Sequence, residues 1–299
     1  MIAAAPALTS TRVWWSAVRP ATLAASIAPV LAGTALSVHA GGARLGAGLL
    51  ALLVGIAMQL GVNFANDYSD HVRGADSPRR VGPVRAASSG IVRPQAVRQA
   101  ALSAFGVAAI AGLVLSAITD WRLVLVGVAC LLAGWLYTGG PRPYGYFGLG
   151  EVFVFVFFGL VATVGTVYVE TLRVTPISIL IGCAMGCLAT AILVLNNLRD
   201  LDTDLAAGKL TLATRIGRAR TRLLLLALVC VAFAIPIAIA VLNLAAATVV
   251  LVLIAAPIAA APVRVAFSAT AAPALVSGLK RMAITELAYA LLFSFGLLL

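Results

Sequence analysis

Apolar runs of 18 residues or more recur from one end of this 299-residue chain to the other. Each is long enough to cross a hydrocarbon layer of about 30 Å as a helix. Alternating apolar and polar residues, the mark of a membrane β-barrel, are absent. Composition agrees, with 62% of residues apolar and 10% charged, where soluble domains run near 45–50% and 25%. Mean hydropathy is +1.08. A soluble enzyme, a disordered chain and a fibrous protein are therefore excluded. The expected fold class is all-α: a polytopic membrane protein of about nine transmembrane helices bundled around a central cavity.

The predicted spans are 20–40, 46–68, 95–118, 121–138, 149–169, 177–199, 220–241, 244–263 and 280–298. Residues 1–299 read as one transmembrane domain, with 1–19 an interfacial segment that carries Trp14 and Trp15 as anchors. No cleavable signal is expected, because the first apolar stretch is short and broken by Pro6. Pro29, Pro236 and Pro257 fall inside spans, which membrane helices tolerate when neighbours satisfy the freed carbonyls. Gly182 and Gly186 form a small-xxx-small pair suited to close helix packing. The four cysteines all sit in apolar runs without His or acid nearby, so they read as packing residues.

The formal net charge of +11 does not point to nucleic acid, because the basic residues sort by side. With this span count, 18 lie at the N-terminus and in the loops after even-numbered helices, and three (Arg44, Arg122, Arg173) lie opposite. Lys and Arg concentrate in cytoplasmic loops. The N-terminus is therefore expected in the cytoplasm of a bacterial cell, the C-terminus outside. The long loops, about 70–94 and 200–219, both fall on the cytoplasmic side, where function concentrates.

Six of the ten acids form two clusters on that side: Asp67, Asp70 and Asp76 in NFANDYSD and beyond, then Asp200, Asp202 and Asp204 in NNLRDLDTD. Helical spacing puts Asn63, Asn66, Asp67 and Asp70 on one face, and Asn196, Asn197, Asp200 and Asp204 on another. Asp202 points away. The clusters are four helices apart, as an internal pseudo-repeat would place them. A carboxylate at the membrane centre costs about 2.5–3.5 kcal/mol, less near the interface, and facing clusters repel unless a cation lies between them. Carboxylate and amide oxygens suit a hard ion such as Mg²⁺, which favours one or two carboxylates plus substrate phosphates. Arg73, Arg79, Lys209 and Arg215 lie close in sequence to complete the neutralisation. One such cluster reads equally well as a solvated helix end; two matching stripes on one side favour a site.

These residues resemble the UbiA superfamily of intramembrane prenyltransferases. NDYSDHVRGAD, RRVGPVR, YTGGPRPYGYFGLGE, NNLRDLDTDLAAGKLTLATRIG and RPATLAASIAPVLAGTAL are most similar to its menaquinone-pathway branch, over residues 19–299. Where the common superfamily motif has a third Asp, position 74 is Gly and the next acid is Asp76. The resemblance implies that Asp67, Asp70, Asp200 and Asp204 hold Mg²⁺ on the diphosphate of a polyprenyl diphosphate. It also implies that Asn63, Asn66 and Asn197 support metal or phosphate oxygens and that Lys209 contacts the diphosphate. The acceptor would be 1,4-dihydroxy-2-naphthoate, prenylated with loss of its carboxylate. The lipid bilayer is the other partner.

An allylic cation formed by diphosphate departure needs a dry cavity and is sheltered by aromatic faces. Tyr137 is the candidate to face that cavity, while Tyr144 and Tyr146 read as an interfacial belt. Phe153, Phe155, Phe157 and Phe158 read as lipid-facing or packing residues. Arg85 or Arg142 would bind the acceptor carboxylate. Glu286 is an intramembrane acid and hence a candidate by position; His71 reads as a loop histidine. Two rival functions stay open. Another acceptor, such as 4-hydroxybenzoate, would use the same metal site. A transporter would gather its polar groups near the midplane rather than at one face.

Overall fold

The computed structural model describes residues 9–74, 82–269 and 271–299; Pro6, Asp76, Arg79 and Arg80 lie outside them. Among the described residues the fold is entirely helical. A short interfacial helix α1 (Ser10–Val18) precedes α2 (Pro20–His39), α3 (Leu45–Val72), α4 (Pro94–Ile118) and α5 (Leu123–Leu136). The next crossing starts as α6 (Gly150–Val154), widens into a π-helical segment at Phe155–Val161 and resumes as α7 (Ala162–Thr171). Then come α8 (Pro176–Ala206), α9 (Leu212–Val241), a 3₁₀ stretch at Ala247–Ala255 continuing into α10 (Ala256–Ser268), and α11 (Ala272–Leu298).

Every predicted span coincides with helix, but the nine are not equivalent. Among the described residues eight helices are long and apolar enough to cross a membrane. The span expected at 121–138 is the 14-residue α5, about 21 Å long at 1.5 Å per residue. Pro257 sits where the 3₁₀ stretch passes into α10, inside one continuous crossing as expected. Gly217 (φ +78°) interrupts α9 near its beginning, a conformation that residues with a Cβ avoid.

The larger correction concerns the two loops expected at 70–94 and 200–219. α3 continues to Val72 and α8 to Ala206. At 28 and 31 residues they span about 42 and 46 Å, well beyond the hydrocarbon core. The acidic motifs are therefore held on rigid helix ends. α8 starts cleanly because Thr175 and Ser178 form a reciprocal capping box ahead of Pro176.

α8 is the central post. Ile181, Met185, Leu188, Leu195 and Leu198 are fully buried, packed against α9, α11 and the π segment. The π segment approaches through glycine. A Cβ on Gly159 would stand 2.3 Å from the Gly186 Cα and 2.6 Å from the Gly182 carbonyl. The Gly182/Gly186 pair is thus a backbone-to-backbone contact of the kind that drives helix association in lipid. Leu125, Leu132, Ile110, Leu223 and Leu291 are outward-facing apolar residues, suited to acyl chains. The multi-pass membrane architecture follows from these features together.

Candidate active site

The acid-bearing ends of α3 and α8 meet. Asn66 and Asp70 of α3 face Asn196, Asn197, Asp200 and Asp204 of α8 across one polar chamber of about 40 Å³. Each set repeats at helical spacing, so each presents one stripe. Three cationic residues complete the lining, Arg19, Arg85 and Lys209, beside Tyr137, Thr138 and Thr203. Asp202 points away as expected: its exposed carboxylate pairs with Arg218 at 3.0 Å.

The acids are engaged by cations. Arg85 donates to Asp70 Oδ2 at 2.7 Å, Lys209 Nζ stands 3.7 Å from Oδ1, and the Tyr146 hydroxyl donates to Oδ1 at 2.8 Å. Lys209 also sits 4.8 Å from the Tyr146 ring centroid, with the Arg73 guanidinium 5.6 Å from the same ring. Burial first, then the Asp70 carboxylate, pushes the Tyr146 phenol well above its ordinary pKa, so it stays a donor. On α8, Arg199 clamps its neighbour Asp200 through Nε at 2.7 Å and a terminal nitrogen at 2.5 Å, and reaches Asn196 Oδ1 at 2.8 Å.

Among the described residues, three carboxylates and three cationic side chains thus line the chamber. A divalent cation and a diphosphate arriving together would roughly preserve that balance, whereas either alone would upset it. Among the described residues no three His, Cys, Asp or Glu side chains form a ready-made metal cage. An all-oxygen set of carboxylates and amides nevertheless fits Mg²⁺, which keeps waters and shares its shell with substrate phosphates.

Below the chamber lies an apolar cavity of about 500 Å³. It runs along α3 from Asn66 to Ala51, about 22 Å at helical rise. Four residues line both compartments and form the neck between them: Arg19, Asn66, Tyr137 and Asn196. Tyr137 faces the cavity as expected. The reading of its neighbours is corrected. Tyr144, Phe153, Phe157 and Phe158 line the cavity too. Tyr144 stacks on Phe153 at 3.9 Å and Phe153 on Phe157 at 5.9 Å. Tyr146 belongs to the charged chamber through Asp70, not to an interfacial belt.

Asp67, Asn63 and Arg142 are not brought to the chamber. Asp67 is fully buried, and its carboxylate accepts the amide N–H of Ala86 at 2.8 Å and of Ala87 at 3.3 Å. Asn63 lines the apolar cavity and donates to the Val18 carbonyl at 2.9 Å and Thr22 Oγ1 at 3.0 Å. Arg142 is exposed on the loop after α5. Asn197 donates to Glu151 Oε1 at 3.0 Å, and Asn66 accepts from Thr138 at 2.7 Å. His71 bonds Ser88 at 3.0 Å. Glu286 lines neither compartment; it is fully buried in α11, with no hydrogen-bond partner on either oxygen. Sequence reading gave no site role to Arg19, Thr138 and Glu151, although all three lie in the quoted segments RPATLAASIAPVLAGTAL and YTGGPRPYGYFGLGE.

Comparison with known proteins agrees with this geometry. The UbiA prenyltransferase family matches residues 26–293. A Mycobacterium tuberculosis (strain ATCC 25618 / H37Rv) protein named 1,4-dihydroxy-2-naphthoate octaprenyltransferase is 49% identical over 208 residues, covering 70% of this chain and 71% of that protein. An Escherichia coli (strain K12) protein of the same name is 38% identical, covering 70% of each. Among solved structures, a UbiA homolog from Archaeoglobus fulgidus bound to DMAPP and Mg²⁺ superposes with a TM-score of 0.62 at 15% identity, over 94% of this chain and 99% of that one. The apo UbiA homolog from Aeropyrum pernix K1 gives a TM-score of 0.65 at 13% identity, over 96% and 98%. The structural likenesses speak to the fold.

Proposed function

The chain belongs to the UbiA prenyltransferase family, and on that premise we propose that it transfers a polyprenyl group from polyprenyl diphosphate to 1,4-dihydroxy-2-naphthoate. The products are demethylmenaquinol, the reduced form of demethylmenaquinone, with diphosphate and CO₂. The observation that carries the reading is a polar chamber of mixed charge that shares four lining residues with an apolar cavity of about 500 Å³. The chamber suits a diphosphate and the cavity an isoprenoid. The mycobacterial and enterobacterial relatives, by name, act on this acceptor.

Asp70, Asp200 and Asp204 would hold Mg²⁺, with Asn66 and Asn197 in support; the bound ion supplies charge stabilisation to the departing diphosphate. Lys209 and Arg85 neutralise the remaining phosphate charge. The Tyr146 hydroxyl and the Lys209 cation hold Asp70 in place. Tyr137 presents its ring at the neck, where an allylic cation would form. The cavity walls exclude the water that would trap it. Asp67 acts through the 86–87 segment it binds, and Arg142 has no part in the site. The site faces the cytoplasm, as the 18-to-3 split of basic residues indicates.

The test is the product. Membranes containing the protein, supplied with dihydroxynaphthoate and a defined prenyl diphosphate, should yield the decarboxylated prenyl adduct by mass. Chelation should stop its formation and Mg²⁺ restore it. Prenylation of 4-hydroxybenzoate instead would keep the family and refute the acceptor.

A further inference from the structure

We propose that Arg19 binds the carboxylate of the aromatic acceptor at the neck, and that its aim is set by a buried polar joint between α1 and α2. The inference deepens the reading above and rests on it.

Among the described residues Arg19 is the one cationic residue that lines both the polar chamber and the apolar cavity. An aromatic acid bound for prenyl transfer must satisfy both compartments. Its rings belong in the cavity, its carboxylate cannot be left dry, and its reacting carbon must lie beside the donor's first carbon at the neck. The other candidate cations are elsewhere. Arg85 and Lys209 line the chamber alone, and Arg142 is exposed. A guanidinium also matches a carboxylate in planar, two-point geometry.

The backbone at this joint is unusual. Arg19 has φ +51° and ψ +68°, a left-handed conformation that non-glycine residues seldom hold without external support. The support is visible. Thr22 Oγ1 donates to the Arg19 carbonyl at 2.9 Å. Asn63 donates to the preceding Val18 carbonyl and to Thr22, and Gln59 donates to Thr22 at 3.3 Å and to Asn63 Oδ1 at 3.1 Å. Two amides on α3, sunk in an otherwise apolar wall, thus have their polar groups spent on fixing one turn. Asn63 is on this account a positioning residue for Arg19.

The experiment measures equilibrium binding of 1-hydroxy-2-naphthoate and of 1-naphthol to the purified full-length protein, by ligand fluorescence. The unaltered protein should prefer the acid by on the order of 10- to 100-fold, the scale of a hydrogen-bonded charge pair. Arg19→Gln should remove that preference while binding naphthol as before, which also shows that it is folded. Arg19→Lys should keep part of the preference. Retained preference in Arg19→Gln, or equal weakening of both ligands in either variant, overturns the assignment. Turnover of dihydroxynaphthoate by the unaltered protein is scored separately. Its absence sinks the functional reading, while a preference lost in Arg19→Gln still stands as acid recognition.

Discussion

Replacing Asp67 by Asn separates two roles that look alike in the linear motif. Asp67 is fully buried and spends both carboxylate oxygens on the backbone of Ala86 and Ala87. Asn offers one oxygen and turns an N–H toward the second amide. The change loses one charge-assisted hydrogen bond and strands a buried donor, which together cost about 2–4 kcal/mol. For a chain of this size that lowers the melting temperature by roughly 5–10 °C. Arg85, next to Ala86, loses its anchorage over Asp70, so turnover should fall by roughly 10- to 100-fold, as for a misplaced positioning group. The Mg²⁺ concentration giving half-maximal activity should not move. Asp70→Asn, at the chamber itself, should instead abolish turnover at any Mg²⁺ concentration. Melting curves in detergent and Mg²⁺ titrations of prenyl transfer measure both. An Asp67→Asn protein with unchanged melting temperature and weakened Mg²⁺ dependence would refute this reasoning and return Asp67 to the ligand set.

Three further outcomes are expected. Asp200→Asn should stop turnover and also destabilise the protein by about 3–5 kcal/mol, because it leaves the buried Arg199 unpaired; adding Arg199→Gln should recover the melting temperature but not the activity. Gly159→Ala should destabilise by about 3 kcal/mol or more, since its methyl group would fall on the Gly186 backbone. Gly165→Ala, with no atom within 4 Å of the new methyl, should melt like the parent. A reporter fused before Met1 should be shielded in intact cells and one after Leu299 accessible from outside; the reverse result would invert the topology.

The helix inventory and the two acidic stripes could be read directly because both are local properties, hydropathy over one span and spacing over two turns. The meeting of α3 and α8 was inferred from the cost of bringing charge toward lipid and from the family resemblance, and the chamber shared by Asp70, Asp200 and Asp204 agrees with it. What escaped notice depends on distant partners. Asp67 and Asp70 carry the same group three residues apart, yet one faces backbone amides some 20 residues onward and the other faces the chamber. The aromatic wall was missed for a rotational reason. Which side of a greasy helix looks inward is decided by where Gly159 can touch α8, and no periodicity in Phe153–Phe158 reveals that. Arg19 opens one of the quoted segments, but its place between the two compartments depends on a backbone angle that the sequence does not display.

The overrun of α3 and α8 beyond the hydrocarbon thickness has a consequence for traffic. In the proposed reaction diphosphate would leave at those helix ends, so this heavily hydrated anion could return to water without traversing oil. The quinol, its carboxylate gone, retains nothing for a guanidinium to grip. On the proposed reaction its tail would occupy the apolar cavity, which α5 and the α6–α7 helix both line. The proposed reaction would thereby part its charged product from its lipid product, each toward the solvent that dissolves it.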